Sequence, residues 1–346
     1  MNKKIKAKRI KQIIDSFFEK TNTPKNIYQP VTESLIEISL RGVDSHGIRL
    51  IPHYVRAILI GRINKKPKFK LKKTSCTTML MNADHTFGIT AGKRGMSEAI
   101  KMAKDNGTGI VAIKNSSHFG AAAIYALQAA KNNMIGLSFT NVDSLVVPYG
   151  GKKPFLGTNP ICFAAPVAGE DPFCLDMATT TISWNKLKMY KNQNKKLENN
   201  CAVDSNGIMT RDTHKAAALL PIAGYKGYGL GLMVEILCSL LTGMTFGPNI
   251  QSMYPLTKNK RYLGHFMMAI DIKKFQSVKL FKKRLKKISD LLRNTPPAKG
   301  FKQVMVPGDP EKLIYKKRVK QGIPLTQEII EDYHNLAKEL NLNINL

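Results

Sequence analysis

Ser45-His46-Gly47 lies inside the run Arg41-Gly42-Val43-Asp44-Ser45-His46-Gly47-Ile48-Arg49, which sets a proton carrier beside a hydroxyl and close to a guanidinium. Reduction of a 2-oxo acid uses those parts: a proton for the new alkoxide, a polar neighbour to orient the imidazole, and a planar fork for the carboxylate. A solitary histidine in a turn is more often structural than catalytic, so this motif draws its weight from the rest of the chain. A second candidate is Lys114-Asn115-Ser116-Ser117-His118-Phe119-Gly120, which follows the apolar run 109–113 and opens an alanine-rich segment. Such a turn offers free N–H groups and the positive end of a helix to a phosphate or a developing oxyanion. The competing reading is that Ser116 or Ser117 simply caps that helix.

The third candidate is Ala223-Gly224-Tyr225-Lys226-Gly227-Tyr228-Gly229-Leu230-Gly231, with a lysine and glycines ahead of a long apolar stretch. Glycines permit close backbone approach, and the lysine can meet an anion at a helix start. Gly227, Gly229 and Gly231 alternate, however, and do not reproduce Gly-x-Gly-x-x-Gly, so a Rossmann fold is not supported. Gly157-Thr158-Asn159-Pro160, Asp176-Met177-Ala178-Thr179 and Pro307-Gly308-Asp309-Pro310 read individually as ordinary turns at element ends.

The elements that must position these groups follow from periodicity. Ile10, Ile13, Ile14, Phe17 and Phe18 fall at helical spacing, a second helix covers about 25–41 and stops at Gly42, and a short one runs through Tyr54 and Ile58. The Ser-His-Gly motif therefore lies just past a helix end. Residues 68–81 read as a strand pair; from Asp84 onward helices (88–105, 121–131) alternate with buried strands (109–113, 135–139), and 161–165, 173–177 and 265–272 add further strands. An amphipathic basic helix is expected over 182–195, a polar loop over 199–213, a buried helix over 228–242, and helices over 279–293 and 326–340. This gives a helical domain built from both termini (1–75 and 275–346) around a central α/β cofactor-binding domain (76–274).

With 346 residues, 43% of them hydrophobic, the chain is long enough for two domains and is globular. Five cysteines, odd in number and with no Cys-x-x-Cys pair, read as reduced thiols of a cytoplasmic protein and exclude a zinc site or disulfide frame. The basic N-terminus lacks the apolar core of a signal peptide, and no stretch is apolar for long enough to span a bilayer. The net charge of +30 raises the alternative of a protein that binds nucleic acid or another polyanion. Its lysines are scattered, and its densest runs, 282–287 and 316–318, sit in helical patterns where a solvated face is the simpler explanation.

Taken in order, Arg41–Gly47, Ser117-His118-Phe119-Gly120, Val147–Gly151, Gly157–Pro160, Leu175–Thr179, Gly224–Gly229, Gly264-His265-Phe266 and Val306-Pro307-Gly308 resemble the malate/L-lactate dehydrogenase family of NAD(P)-dependent oxidoreductases. The resemblance spans about residues 5–335. It implies a non-Rossmann α/β fold with a largely antiparallel central sheet, a homodimer, and hydride transfer between NAD or NADP and a small 2-hydroxy/2-oxo acid. It implies His46 as the acid/base with Ser45 beside it and His118 as the rival catalytic histidine. It places Arg49 and Thr158 on the substrate, and His118, Phe119, Gly120, Ala121, Ala122, Asp176, Met177, Ala178, Lys226, Gly227, Pro307 and Gly308 around the cofactor. The chain departs from its relatives in three places. Arg49 comes three residues after His46 rather than four, Ser183-Trp184-Asn185 replaces Ala-Arg-Gly, and Ser144 stands where ureidoglycolate dehydrogenase has a lysine.

Overall fold

Short β-branched and aromatic runs bounded by turns form a single large sheet in the computed structural model, which describes residues 3–346. Across the sheet the strands are Lys70–Lys73, Thr78–Asn82, Thr108–Ser116, Leu263–Asp271, Met134–Thr140, Ile161–Ala165 and Phe173–Met177. Thr78–Asn82 runs parallel to Thr108–Ser116, and every other pairing in this sheet is antiparallel. The expected non-Rossmann α/β fold with a largely antiparallel sheet is therefore what forms.

One face of the sheet is covered by the helices Gly88–Asn106 and Ala123–Lys131, whose alanines meet Val111, Ile113, Ala164 and Met267. Their backbones come very close to the strands. A Cβ at Gly109 would lie 2.0 Å from the carbonyl oxygen of Ala99, and one at Gly136 would lie 2.5 Å from that of Ala126. The residues of opposite parity, Phe139 and Phe266, face the other way and pack with Val234 and Cys238.

A separate apolar cluster joins the chain ends. Helices Ala7–Lys20, Lys25–Leu40, Ile51–Leu59 and Gln327–Glu339 bury Phe17, Phe18, Tyr28, Tyr54, Tyr333 and Leu336 together. Strand Lys3–Ile5 pairs antiparallel with Ile323–Leu325, and the Tyr333 hydroxyl donates to the carbonyl of Ile48 at 2.9 Å. Helix Asp309–Gln321 packs on Lys25–Leu40, whereas helix Val278–Arg293 is tied to the loop at Glu170 through Arg293 (3.1 Å).

Three local expectations are corrected. The helix Ala123–Lys131 is capped by neither serine: Ser116 ends a strand and bonds His265, and the Ala123 N–H donates to the carboxylate of Asp176 at 2.9 Å. The loop at 199–213 contributes to a three-stranded sheet, Ala202–Val203, Met209–Thr210 and Ala218–Leu219, because Ala202, Val203 and Leu219 have apolar surface to bury. The apolar helix starts earlier, as Tyr225–Glu235 continuing through a π turn at Ile236–Leu240, and it is not buried within this chain. Leu230, Leu232, Met233, Ile236, Leu240 and Leu241 are exposed, since the helix shows the sheet only a narrow face. No helix among the described residues is long and apolar enough to cross a membrane.

Candidate functional site

The backbone around His46 is fixed by three neighbours. After the helix Lys25–Leu40, Gly42 turns the chain with φ +87°, and Asp44–His46 forms one 3-10 turn. Arg318 grips the Asp44 carboxylate with both terminal nitrogens (2.5 and 2.8 Å) and also donates to the Ser39 carbonyl. Gly47 passes over the Ser39 hydroxyl so closely that a Cβ would lie 2.0 Å from Oγ, and that hydroxyl accepts the Ile48 N–H at 2.9 Å. The glycine of the motif is thus a steric requirement of the turn that aims the histidine.

His46 is part-buried, and Ser45 Oγ lies 2.9 Å from its Nδ1. Burial, reinforced by the nearby Arg49 guanidinium, lowers its pKa to about 4. The imidazole is therefore neutral at physiological pH, as an acceptor of an alcohol proton must be. His118, at the end of strand Thr108–Ser116, stacks its ring nearly parallel to that of His46 at 5.8 Å. Its Nδ1 is engaged by the Tyr54 hydroxyl at 2.7 Å. Burial, then the facing His46 and more distant cations, keep His118 neutral as well. Beneath it Phe119 stacks on His265, which is fully buried between the hydroxyls of Thr140 (2.8 Å) and Ser116 (2.7 Å). His265 is a structural histidine, driven down to about 3 by desolvation.

Both catalytic candidates open into one cavity of about 900 Å³. Ser45, His46, His118, Gly120, Ala121, Ala122, Thr158, Asp176, Met177, Ala178, Pro307 and Gly308 all line it, so the structure gathers twelve of the residues singled out from sequence. The remaining four stand elsewhere. Phe119 is buried behind His118. Arg49 is exposed, with only a long contact to Glu328 (3.7 Å). Lys226 is exposed, and Gly227 is packed against the Ile222 carbonyl at the start of its helix.

The far end of the cavity suits a dinucleotide. Its volume lies in the upper part of the ~300–1,000 Å³ range of ligand sites. Gly308, at φ +94°, presses against strand Phe173–Met177 so that a Cβ would meet the Cys174 backbone nitrogen at 3.2 Å, and Gly120 has φ +73°. A Cβ at Gly120 would likewise press on the Ile89 side chain at 3.3 Å, so tight packing holds both glycines in place, and both line the cavity with bare backbone. Asp176 lines the same cavity; burial lifts its carboxyl to about 6, against the pull of the Ala123 N–H. No group of His, Cys, Asp or Glu able to hold a metal occurs among the described residues.

Several participants were not foreseen. Tyr54 reads in sequence as a core aromatic of its helix, and it is one, yet its hydroxyl reaches His118. Asp143, Ser252, Met253 and Tyr254 line the cavity at the His46 end, and Trp184, Asn185 and Lys188 come from helix Trp184–Asn192. The replacement of Ala-Arg-Gly by Ser183-Trp184-Asn185 was the available signal for that helix. Behind this wall two buried arginines hold the loop of Ser252 and Met253. Arg62 donates to the carbonyls of Ser252 (2.7 Å), Met253 (3.0 Å) and Asn259 (3.0 Å), while Arg261 pairs with Asp143, which also accepts from Ser252 Oγ at 3.0 Å.

Comparison with known proteins agrees with this geometry. A malate dehydrogenase of Pyrococcus abyssi is 36% identical over 333 residues, covering 93% of this chain and 91% of that protein. The NAD(+)-dependent ureidoglycolate dehydrogenase of Escherichia coli K12 is 35% identical over 328 residues, covering 95% and 94%. The crystal structure of malate dehydrogenase from Entamoeba histolytica superposes with a TM-score of 0.94 over 100% of both chains at 30% identity. The sequence profile of one family, described as malate/L-lactate dehydrogenase, matches residues 5–333, and with the paired histidines and glycine turns already in place this chain belongs to that family.

Proposed function

We propose that this protein is a nicotinamide-dependent dehydrogenase that interconverts a small 2-hydroxy acid and its 2-oxo acid, with His46 as the acid/base. The observation that carries the reading is the neutral, cavity-lining imidazole held by Ser45 and facing a second histidine, beside a glycine-lined cradle. When bound, the reduced nicotinamide supplies the hydride that goes to the carbonyl carbon. His46 gives its proton to the carbonyl oxygen in reduction and takes the hydroxyl proton in oxidation. His118, fixed by Tyr54, polarises the same oxygen. Thr158 contributes a hydroxyl to the substrate, and Arg49, close enough to influence His46, swings in to meet the C1 carboxylate. Gly120–Ala122, Asp176–Ala178 and Pro307-Gly308 line the path of the dinucleotide. On this reading the helical unit made from both termini brings the acid/base, and the central unit brings most of the cradle.

NAD(H) is the proposed cofactor, NADP(H) the second arm of the test. Purified protein offered a panel of 2-oxo acids with NADH and with NADPH should oxidise at least one nicotinamide, read as loss of its near-ultraviolet absorbance. Absence of turnover with every pair would overturn the reading. The five free thiols suit a reducing, cytoplasmic compartment.

The protein is further proposed to work as a homodimer. Its surface is 17063 Å², whereas a compact monomer of this mass exposes about 14,000 Å². An uncovered apolar row, Leu230, Met233, Ile236 and Leu240, lies on one helix, which Lys226 and Gly227 open. Sedimentation velocity at micromolar concentration should give the mass of two 38.5 kDa chains; a single-chain mass would reject the dimer.

A further inference from the structure

Charge in the cavity is almost entirely internally balanced. Arg41 meets Glu37 (3.0 Å), Lys312 meets Glu170 (3.5 Å) and Asp309 (3.6 Å), Asp143 meets Arg261, and Asp176 receives the Ala123 N–H. Glu311 belongs to the cofactor end, where its charge acts on Asp176. Lys188 differs. It lines the cavity and has no carboxylate within ion-pair distance among the described residues, its ammonium resting instead 5.2 Å above the ring of Tyr254. The neighbouring Lys186 is engaged, by Glu198 (3.9 Å) and the ring of Tyr190.

The helix Trp184–Asn192 aims Lys188 at the reacting end. Ser183 caps it by accepting the Lys186 N–H at 3.1 Å, and Asn185 donates to the carbonyl of Ser45, the residue before His46, at 3.5 Å. Lys188, three residues on, shares that helix face. Tyr254 in turn packs on His53 and feels the field of Arg49. Lys188 thus lines the cavity itself, while Arg49, on another element and outside the lining, acts through its charge on both His46 and Tyr254.

We propose that Lys188 receives the second acidic group of a dianionic 2-oxo acid, making this enzyme selective for substrates with a distal carboxylate or sulfonate; the proposal rests on the dehydrogenase reading above. A monoanionic acid has one carboxylate, which Arg49 takes at C1, and it leaves the ammonium without a partner. A dianion pairs both. Lysine suits the distal position because a compact charge on a four-carbon stem tolerates acids of different length and geometry.

The test compares oxaloacetate with pyruvate for the wild type, Lys188→Gln and Lys188→Arg. Glutamine is a good helix former at this exposed position, so the fold should survive. Lys188→Gln should lower kcat/KM for oxaloacetate by about tenfold and change that for pyruvate by less than about twofold, while Lys188→Arg keeps the wild-type ratio within about threefold. Trp184, the chain's single tryptophan, lines the same cavity. Its emission, titrated with malonate in the presence of NAD+, should show a matching loss of affinity in Lys188→Gln without turnover. Equal changes for both acids, or none, would overturn the assignment of Lys188 with the dehydrogenase intact. A wild type inert toward every 2-oxo acid would overturn both.

Discussion

Replacing His46 with alanine should lower turnover by about 10²–10⁴-fold in both directions, the usual contribution of a positioned acid/base. The melting temperature should barely move, because the ring's hydrogen bond is to the adjacent Ser45 and the turn itself is held by Arg318, Ser39 and Gly47. The pH profile supplies a signature that a structural histidine would not give. With its pKa lowered to about 4 by burial and Arg49, His46 is the neutral base at all higher pH. Oxidation should rise through about pH 4 and level off above about pH 5, while the proton-bearing form needed for reduction falls about tenfold per pH unit above that point. A bound anionic substrate would move the inflection upward. The rival is His118, whose Nδ1 is already engaged by Tyr54. A His46→Ala enzyme within about tenfold of wild type, beside an inactive His118→Asn, would transfer the acid/base role.

Loss of the Asp143 carboxylate should be the most damaging substitution for stability. Arg261 is 2% exposed, donates through Nε to the Gln251 carbonyl (3.0 Å), and keeps Nη1 buried with no hydrogen-bond partner. Asp143 is the only carboxylate paired with it among the described residues. Asp143→Ala would strand the guanidinium in a desolvated place, at a cost of about 3–5 kcal/mol, which for a chain of this size corresponds to a fall in Tm of roughly 4–7 °C. It would also remove the acceptor of the Ser252 hydroxyl, leaving the loop that carries Tyr254 into the cavity to its Arg62 and Arg261 ties. Calorimetry provides the check, with Asp143→Leu combined with Arg261→Met as the control. Removing both charges should recover much of the loss, because the damage comes from the unpartnered cation rather than from the missing contact. An unchanged Tm in Asp143→Ala would show that water reaches Arg261.

Most of this architecture was legible in the residues, since period and turn chemistry are local. Strands 161–165 and 173–177 follow from their apolar runs, and the helix read at 88–105 forms as Gly88–Asn106. Twelve of the sixteen residues named from sequence face one cavity because they sit at element ends, where backbone can meet a ligand. What escaped was non-local. Asp176 caps a helix more than fifty residues earlier in the chain, Tyr54 reaches His118 across sixty-four, and Asp143 finds Arg261 across more than a hundred. None of these pairings has a spacing to read. The apolar run at 228–242 misled for a different reason: hydrophobicity specifies that a surface is to be covered, but not by which chain.

The strand Lys3–Ile5 is completed by Ile323–Leu325, and the helices before and after His46 share their packing with Tyr333 and Leu336. Between Ile89 and Ile323, where the two halves of that cluster meet the gap, lie roughly 230 residues, about 12–50 s of synthesis at ordinary elongation rates. The nascent chain must carry its first four helical turns, with Phe17 still lacking its edge contact to Tyr333, until that late part of the cluster emerges. Proton-transfer competence is therefore a property that arrives only once residues 323–340 have been made, and the early apolar helices are the natural client surface for a chaperone during the wait.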